Sequence, residues 1–405
     1  MAFSDSGFWQ RAAGATGSAL ALFAATPAAA FWNDRFEVFA SEVVTWDSNV
    51  FRISENLDPQ RAIGAGGRSD RIHVHSLGAT MDLPVSLQRF TAGYTWFATR
   101  YQRFDQLDFN GHVARANWLW AFTPRITGDI GATDSRALAN FAIFRGAARD
   151  VVTSREAHAN GNWALTPSWI LYGGVVGAER KHDDPARAIN DVRSTSVEAR
   201  MTYVNAADNR LGVTFRREEG KSPNETVVLG TPFDNGYRQN GIGVIARWQV
   251  TGNSRFDGRA EYVRRDYDQF AERDYSGPTF RVSHNWTPTG KLTIVTTALR
   301  DIAPLDDIQT TFVLVKGVNV KPRWELTEKI TIQGSADYSR WEYRASPAFG
   351  NAYSHRVRSA GVSVAYRPLR TVLLEAGVLR EVRTSTLADA DYSANVASLG
   401  ARIGF

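Results

Sequence analysis

The chain has 405 residues, 43% of them hydrophobic and 22% charged, with a formal net charge of +5. It contains no cysteine, which excludes disulfide frameworks, thiolate metal sites and cysteine nucleophiles together. The mild positive charge is not gathered into a block, which argues against a nucleic-acid partner, and after the first 30 or so residues no apolar run reaches the ~18 that a membrane-spanning helix needs.

In chain order, the amino terminus comes first. Arg11 precedes a short apolar stretch from Ala19 to Ala25, and small residues follow at Ala28, Ala29 and Ala30. That order of charge, apolar core and small residues predicts a cleavable secretory signal over 1–30, leaving 31–405 as a single exported body.

From Phe31 onward the hydrophobic period is two. In R-F-T-A-G-Y-T-W-F-A-T-R, Phe90, Ala92, Tyr94, Trp96 and Ala98 share one face and Arg89, Thr91, Gly93 and Thr95 the other. R-I-T-G-D-I-G-A-T-D sets Ile126, Gly128, Ile130 and Ala132 against Arg125, Thr127, Asp129 and Thr133. S-V-E-A-R-M-T-Y and R-F-D-G-R-A-E-Y repeat the scheme. Such alternation predicts strands with one apolar and one polar face. Their length exceeds the five or six residues usual in globular sheets and matches the ~10 tilted residues that cross a bilayer.

The punctuation repeats as well. Short turns are expected at Leu83–Ser86, Thr123–Pro124, Thr166–Pro167, Ala206–Asn209, Thr251–Asn253, Pro288–Thr289, Thr327–Glu328 and near Pro368. Longer, more charged loops are expected near 47–69, 101–109, 135–150, 181–191, 217–236, 266–275, 301–309, 342–354 and 384–391. Nine loops and eight turns join 18 strands, or 16–18 if a boundary is misjudged. The fold class is therefore all-β: a transmembrane antiparallel β-barrel of the outer membrane, with short periplasmic turns and longer extracellular loops. Seven tryptophans, Trp118, Trp120, Trp163, Trp169, Trp248, Trp286 and Trp324, lie beside the short turns, as an interfacial aromatic girdle requires. Hydrocarbon satisfies no backbone hydrogen bond, so the sheet must close, last strand on first. Outer-membrane lipid is accordingly a partner.

With the apolar face given to lipid, the other face lines a lumen. The candidate solute-binding residues are Arg89, Arg115, Arg125, Asp129, Glu156, Glu198, Arg200, Arg247, Arg255, Asp257, Arg259, Glu261 and Arg281, with Arg210, Arg216, Asp337 and Glu375 beside them. Arginines outnumber acids ten to seven in this set. Such a lining suits anions or acidic, hydroxyl-rich solutes, although Arg–acid ladders can also simply tie strands together. The loop 46–71 is the longest candidate plug, either folded inward or lying across the mouth.

No catalytic constellation stands out, and neither a cofactor nor a metal is expected. His73 and His75 share one strand face but lack a third ligand, and the acids of K-H-D-D-P and D-Y-D-Q-F-A-E-R-D read as solvated loop charge rather than Ca²⁺ ligands.

The stretch V-T-W-D-S-N-V-F-R-I-S at 43–53, the W-x-L-T-P turns and the terminal Phe405 together resemble the EpsL-type outer-membrane proteins of exopolysaccharide biosynthesis, within the β-barrel porin 2 group. Asp47, Ser48, Asn49, Phe51 and Arg52 match that group's segment. The resemblance implies a barrel that takes part in making or exporting an extracellular polysaccharide, with periplasmic export components as partners and no catalytic residues. The alternative is a general or small-solute porin, or a plugged barrel that scaffolds partners. Phe405, on the apolar row Leu399, Ala401 and Ile403, is the expected insertion signal for the outer-membrane assembly machinery.

Overall fold

The structure, a computed structural model, describes residues 35–143, 146–224, 226–228, 231–269, 271–303, 313–343 and 352–405. The expected signal over 1–30 lies outside the described residues.

Eighteen long strands form one antiparallel sheet. They are β1 (Phe36–Asp47), β2 (Asp70–Val85), β3 (Gln88–Tyr101), β4 (Phe109–Thr123), β5 (Ile126–Leu138) and β6 (Val151–Thr166). Next come β7 (Trp169–His182), β8 (Val192–Val204), β9 (Arg210–Lys221), β10 (Tyr237–Thr251), β11 (Ser254–Tyr267) and β12 (Tyr275–Thr289). The last six are β13 (Leu292–Ala303), β14 (Val313–Glu325), β15 (Ile330–Tyr343), β16 (Tyr353–Leu369), β17 (Val372–Ser385) and β18 (Tyr392–Gly404). A short helix, α1 (Pro59–Ile63), sits in the first loop and a small hairpin pairs 226–228 with 231–233. Each long strand pairs with its neighbours in sequence, and β1 pairs β18 from Phe39↔Gly404 to Asp47↔Val396, so the sheet closes into a barrel without edges. The seam ends on a reciprocal backbone pair, Phe405 N to Val38 O at 2.7 Å and Val38 N to Phe405 O at 3.1 Å.

The turn repeat has a specific cause. Trp120, Trp163, Trp248, Trp286 and Trp324 each stand three residues before a threonine. At Thr123, Thr166, Thr289 and Thr327 the hydroxyl accepts backbone N–H bonds from the residues two and three positions on, at 3.0–3.4 Å. The threonine thus closes a tight turn by satisfying donors that leave the ladder. Two expected turns shift: the chain reverses at 86–87 rather than Leu83–Ser86 and at 290–291 rather than Pro288–Thr289, while the turn expected near Pro368 falls at 370–371. Pro288 and Pro368 mark irregular strand ends. Both prolines lie within strands, where the register slips between Trp286 and Thr289 and between Tyr366 and Leu369. A residue without an N–H fits such a bulge.

Side-chain alternation holds around the ring. The outward row carries Tyr94, Ile130, Val175, Val213, Val244, Val282, Val318, Val362, Val378 and Leu399, all broadly exposed as lipid-facing groups should be. The turn-proximal tryptophans share this face, and Trp163, Trp169, Trp248, Trp286 and Trp324 form a girdle at the periplasmic rim. Trp120 lies over Gly128, where an added Cβ would collide with its ring and with the Asn160 carbonyl. Glycine is required there for that close approach.

The only large apolar core among the described residues is at the extracellular mouth. Val50, Phe51 and Ile63 of the first loop pack with the inward Val43, Ile72, Val74, Phe97, Tyr101 and Phe109, and with Phe104, Leu107, Phe141 and Val151. Phe51 contacts Phe104 edge-on at 4.8 Å and Phe141 at 4.7 Å. Of the two placements open for the long loop, the inward one is therefore realised. Hydrophobic burial against β1–β5 drives it.

Candidate functional site

Apart from Arg125, which lies in the turn between β4 and β5, the candidate lumen residues fall on the inward side of their strands. They do not form one cluster. Arg89 pairs with Asp82 near the periplasmic end. Asp129 is buried and bonds His158 Nε2 at 2.6 Å and Asn160 Nδ2 at 2.7 Å. Arg115 and Glu156 flank Thr133 in one cross-strand row of β4–β6. Arg281 lies 4.0 Å from Asp301.

The remaining candidates converge on the wall formed by β8–β11. Glu198 accepts from Arg259 at 3.1 Å and from the Thr214 hydroxyl at 3.1 Å, and lies 3.7 Å from Arg200. Arg259 also donates to Glu261 at 2.7 Å, and Glu261 lies 3.5 Å from Arg216. Nearer the periplasmic end, Asp257 bridges Arg247 at 2.9 Å and Arg255 at 2.8 Å. Arg200 also stacks over the Tyr172 ring, 4.0 Å from its centroid. Five arginines (200, 216, 247, 255 and 259) thus meet three carboxylates (198, 257 and 261), so cations outnumber acids in this network. The cross-strand ladder that ties these strands is at the same time a cationic strip. Arg255 keeps 44% of its side chain exposed although it points inward, so its guanidinium opens onto the lumen. A guanidinium so placed can exchange a water for a carboxylate or phosphate oxygen.

The segment Asp47–Arg52 has a different position. Arg52 is buried, with φ 54° in the left-handed region. Its guanidinium donates to both oxygens of Asp47 at 2.9 Å and to the Asn49 carbonyl, and lies 3.4 Å from Glu381 on β17. Burial opposes its charge, but Asp47, Glu381 and Tyr392 outweigh that cost and hold its pKa above the ordinary value. Asn49 donates to the Ile53 carbonyl at 2.8 Å and the Ser393 carbonyl at 3.1 Å. Ser48 exchanges two bonds with the Asn395 backbone, 3.0 and 2.8 Å. These residues clamp the first loop to β17 and β18, across the closing seam. Sequence reasoning assigned them no physical role. The signal was present, since Val50 and Phe51 stand as apolar neighbours inside a charged loop.

His73 and His75 both face outward beside Glu42, at 3.2 and 3.6 Å. The loop acids are engaged elsewhere: Asp183 with Arg136, Asp184 with the backbone of Ala186, Asp266 with Arg264, Asp268 with Arg238 and Asp274 with the backbone of Tyr267. Among the described residues, no group of three His, Asp or Glu side chains is placed to hold a metal ion.

Residues 246–405 match the family described as "Putative beta-barrel porin 2". No curated protein sequence matches the chain. Among solved structures it is similar to OccK9 (OpdG) of Pseudomonas aeruginosa, at 12% identity over 93% of this chain and 100% of that one, with a TM-score of 0.50. It is similar to a BenF-like porin from Pseudomonas fluorescens Pf-5 at 11% identity, with 93% and 100% coverage and a TM-score of 0.50. OccK2 (OpdF) of Pseudomonas aeruginosa shows 10% identity, the same coverages and a TM-score of 0.51. At such identities the likeness is one of fold. The chain is a closed antiparallel 18-stranded β-barrel with the fold of outer-membrane porins.

Proposed function

We propose that this protein is an outer-membrane channel for small polar solutes that favours anions. One observation carries the reading: five arginines share three carboxylates on the β8–β11 wall, with Arg255 open to the lumen. Eighteen strands leave room for an aqueous path, and the mouth cluster on β1–β5 narrows that path from the side away from the cationic strip. Solutes then pass between an apolar wall and a cationic one, which suits small carboxylates and phosphorylated or acidic sugars. Export by the signal over 1–30 and insertion guided by Phe405 belong to the same reading.

A polysaccharide conduit remains the second reading and rests on the resemblance carried by Asp47–Arg52. Packing at the seam accounts for those residues, so they lend little support to a polymer in particular. Planar-bilayer recording separates the two. In a salt gradient the wild type should show a reversal potential on the anion-selective side, and R247Q/R255Q should move it towards cations. Cation preference in the wild type, or no conductance at all, would overturn the proposal. Block by long acidic glycans together with exclusion of small sugars in liposome swelling would favour the conduit.

A further inference from the structure

The outward face of the barrel changes character abruptly towards the extracellular end. On β5 the row Ile126, Gly128, Ile130 and Ala132 gives way to Asp134 and Arg136; on β10, Trp248, Ala246, Val244 and Ile242 give way to Asn240 and Arg238. In most of this upper band the charges neutralise one another. Arg136 meets Asp183 at 2.7 Å, Arg155 meets Asp134 at 3.3 Å, Arg193 meets Glu179 at 2.7 Å, Arg238 meets Asp268 at 3.0 Å and Arg264 meets Asp266 at 2.9 Å.

The sector β13–β17 departs from that pattern. Arg300, Lys316, Arg340 and Arg356 are consecutive cross-strand partners in one row. Arg358 and Arg380 continue the belt two and four residues lower in register, as a level line must when strands tilt. Six cations therefore occupy five adjacent strands. Among the described residues a single acid, Glu342, faces them, 2.9 Å from Lys316 and 3.3 Å from Arg340. Arg300 donates to the Pro278 carbonyl at 2.8 Å. The side chains of Arg356, Arg358 and Arg380 are exposed and make no hydrogen bond or ion pair within the described residues. Directly below lie Val318, Tyr338, Val362 and Val378, all open to lipid.

We infer that this sector binds the phosphates of an outer-leaflet glycolipid that carries two or more phosphates on a sugar head and several acyl chains, the chemistry of the lipid A portion of lipopolysaccharide. Three observations select that occupant. The cations face lipid rather than the lumen, so a solute in transit does not meet them. Five strands at ~4.8 Å spacing spread the charge over roughly 19 Å, wider than one phosphodiester head group. The apolar surface beneath them continues the same wall, so phosphates and acyl chains of one molecule are served together. Guanidinium groups suit bidentate phosphate contacts. The inference depends on the outer-membrane orientation and not on what crosses the lumen.

The test uses the refolded full-length barrel in detergent, with native mass spectrometry and a fluorescent-lipid titration. The probes are diphosphoryl lipid A, monophosphoryl lipid A, phosphatidylglycerol and inorganic phosphate. Wild type should bind diphosphoryl lipid A most tightly, with an affinity that falls as salt rises. R340Q/R356Q/R358Q/R380Q should weaken that binding at least about tenfold, whereas R238Q/R264Q, in the neutralised sector, should change it less than about twofold. Heat-modifiable gel mobility reports folding of each variant, and R356Q/R358Q with the wild-type salt titration provides the reading if the quadruple variant fails to fold. Equal affinity for phosphatidylglycerol and diphosphoryl lipid A, equal loss in both variants, or displacement by inorganic phosphate at comparable concentration would each overturn the inference.

Discussion

Replacing Arg52 by methionine removes the cation that holds two carboxylates together under the barrel mouth. Arg52 and Asp47 are both almost fully buried, and Glu381 nearly so. Breaking a buried pair by deleting one partner costs about 3–5 kcal/mol, because the remaining charge has no compensation. Here two carboxylates are left, one on β1 and one on β17, with the loop 48–69 between them. The closed loop should lose most of that energy relative to an opened one, since opening returns both carboxylates to water. At ~1.4 kcal/mol per decade the open population rises roughly 100-fold or more. Limited trypsin digestion reads this population when opening is fast relative to cleavage. Arg68 is the informative site, because its guanidinium donates to the carbonyls of Ser54, Glu55 and Leu57 at 3.2, 3.0 and 2.6 Å and is tied into the folded loop. Arg61, whose side chain is 91% exposed, serves as the control site within the same loop. Cleavage at Arg68 should accelerate by about two orders of magnitude in R52M, and D47N/R52M should recover part of the loss. A rate within about threefold of wild type would refute the clamp.

Other outcomes follow from the same geometry. Deleting Phe405 removes the backbone pair with Val38 and an exposed aromatic from the lipid-facing row, so outer-membrane levels should fall while single-channel conductance of the surviving barrels stays unchanged; normal levels would count against an assembly role. V378K places a charge on the lipid face within the apolar band and should destabilise the barrel by about 2–4 kcal/mol in urea titration from bilayers, whereas a charge at the inward Ser398 should cost much less. T289V/T327V removes the hydroxyls that close two periplasmic turns and should cost about 1 kcal/mol per site; no change in unfolding midpoint would show that the backbone alone sets those turns.

The sequence by itself determined the strand number, the nine loops and eight turns, the lipid-facing row and the girdle of tryptophans. These are local properties. Alternation is a relation between neighbours two apart, and W-x-x-T closes a turn within a few residues, so both are legible without knowing what lies across the sheet. Even the turns misplaced at Leu83–Ser86 and Pro288–Thr289 were off by about two residues, because a proline sits at a strand end or bulge as readily as at a reversal. Only the tertiary structure decided which charges meet. Glu198 reaches Arg259, 61 residues on, because β9 and β10 bring β8 near β11 around the ring. Asn49 meets Ser393, 344 residues away, because closure makes the first and last strands neighbours. The inward fold of the first loop, the cationic strip of the lumen and the unneutralised belt on β13–β17 all depend on register and closure. Those are set by the need to pair every backbone group in hydrocarbon, and no local pattern encodes them.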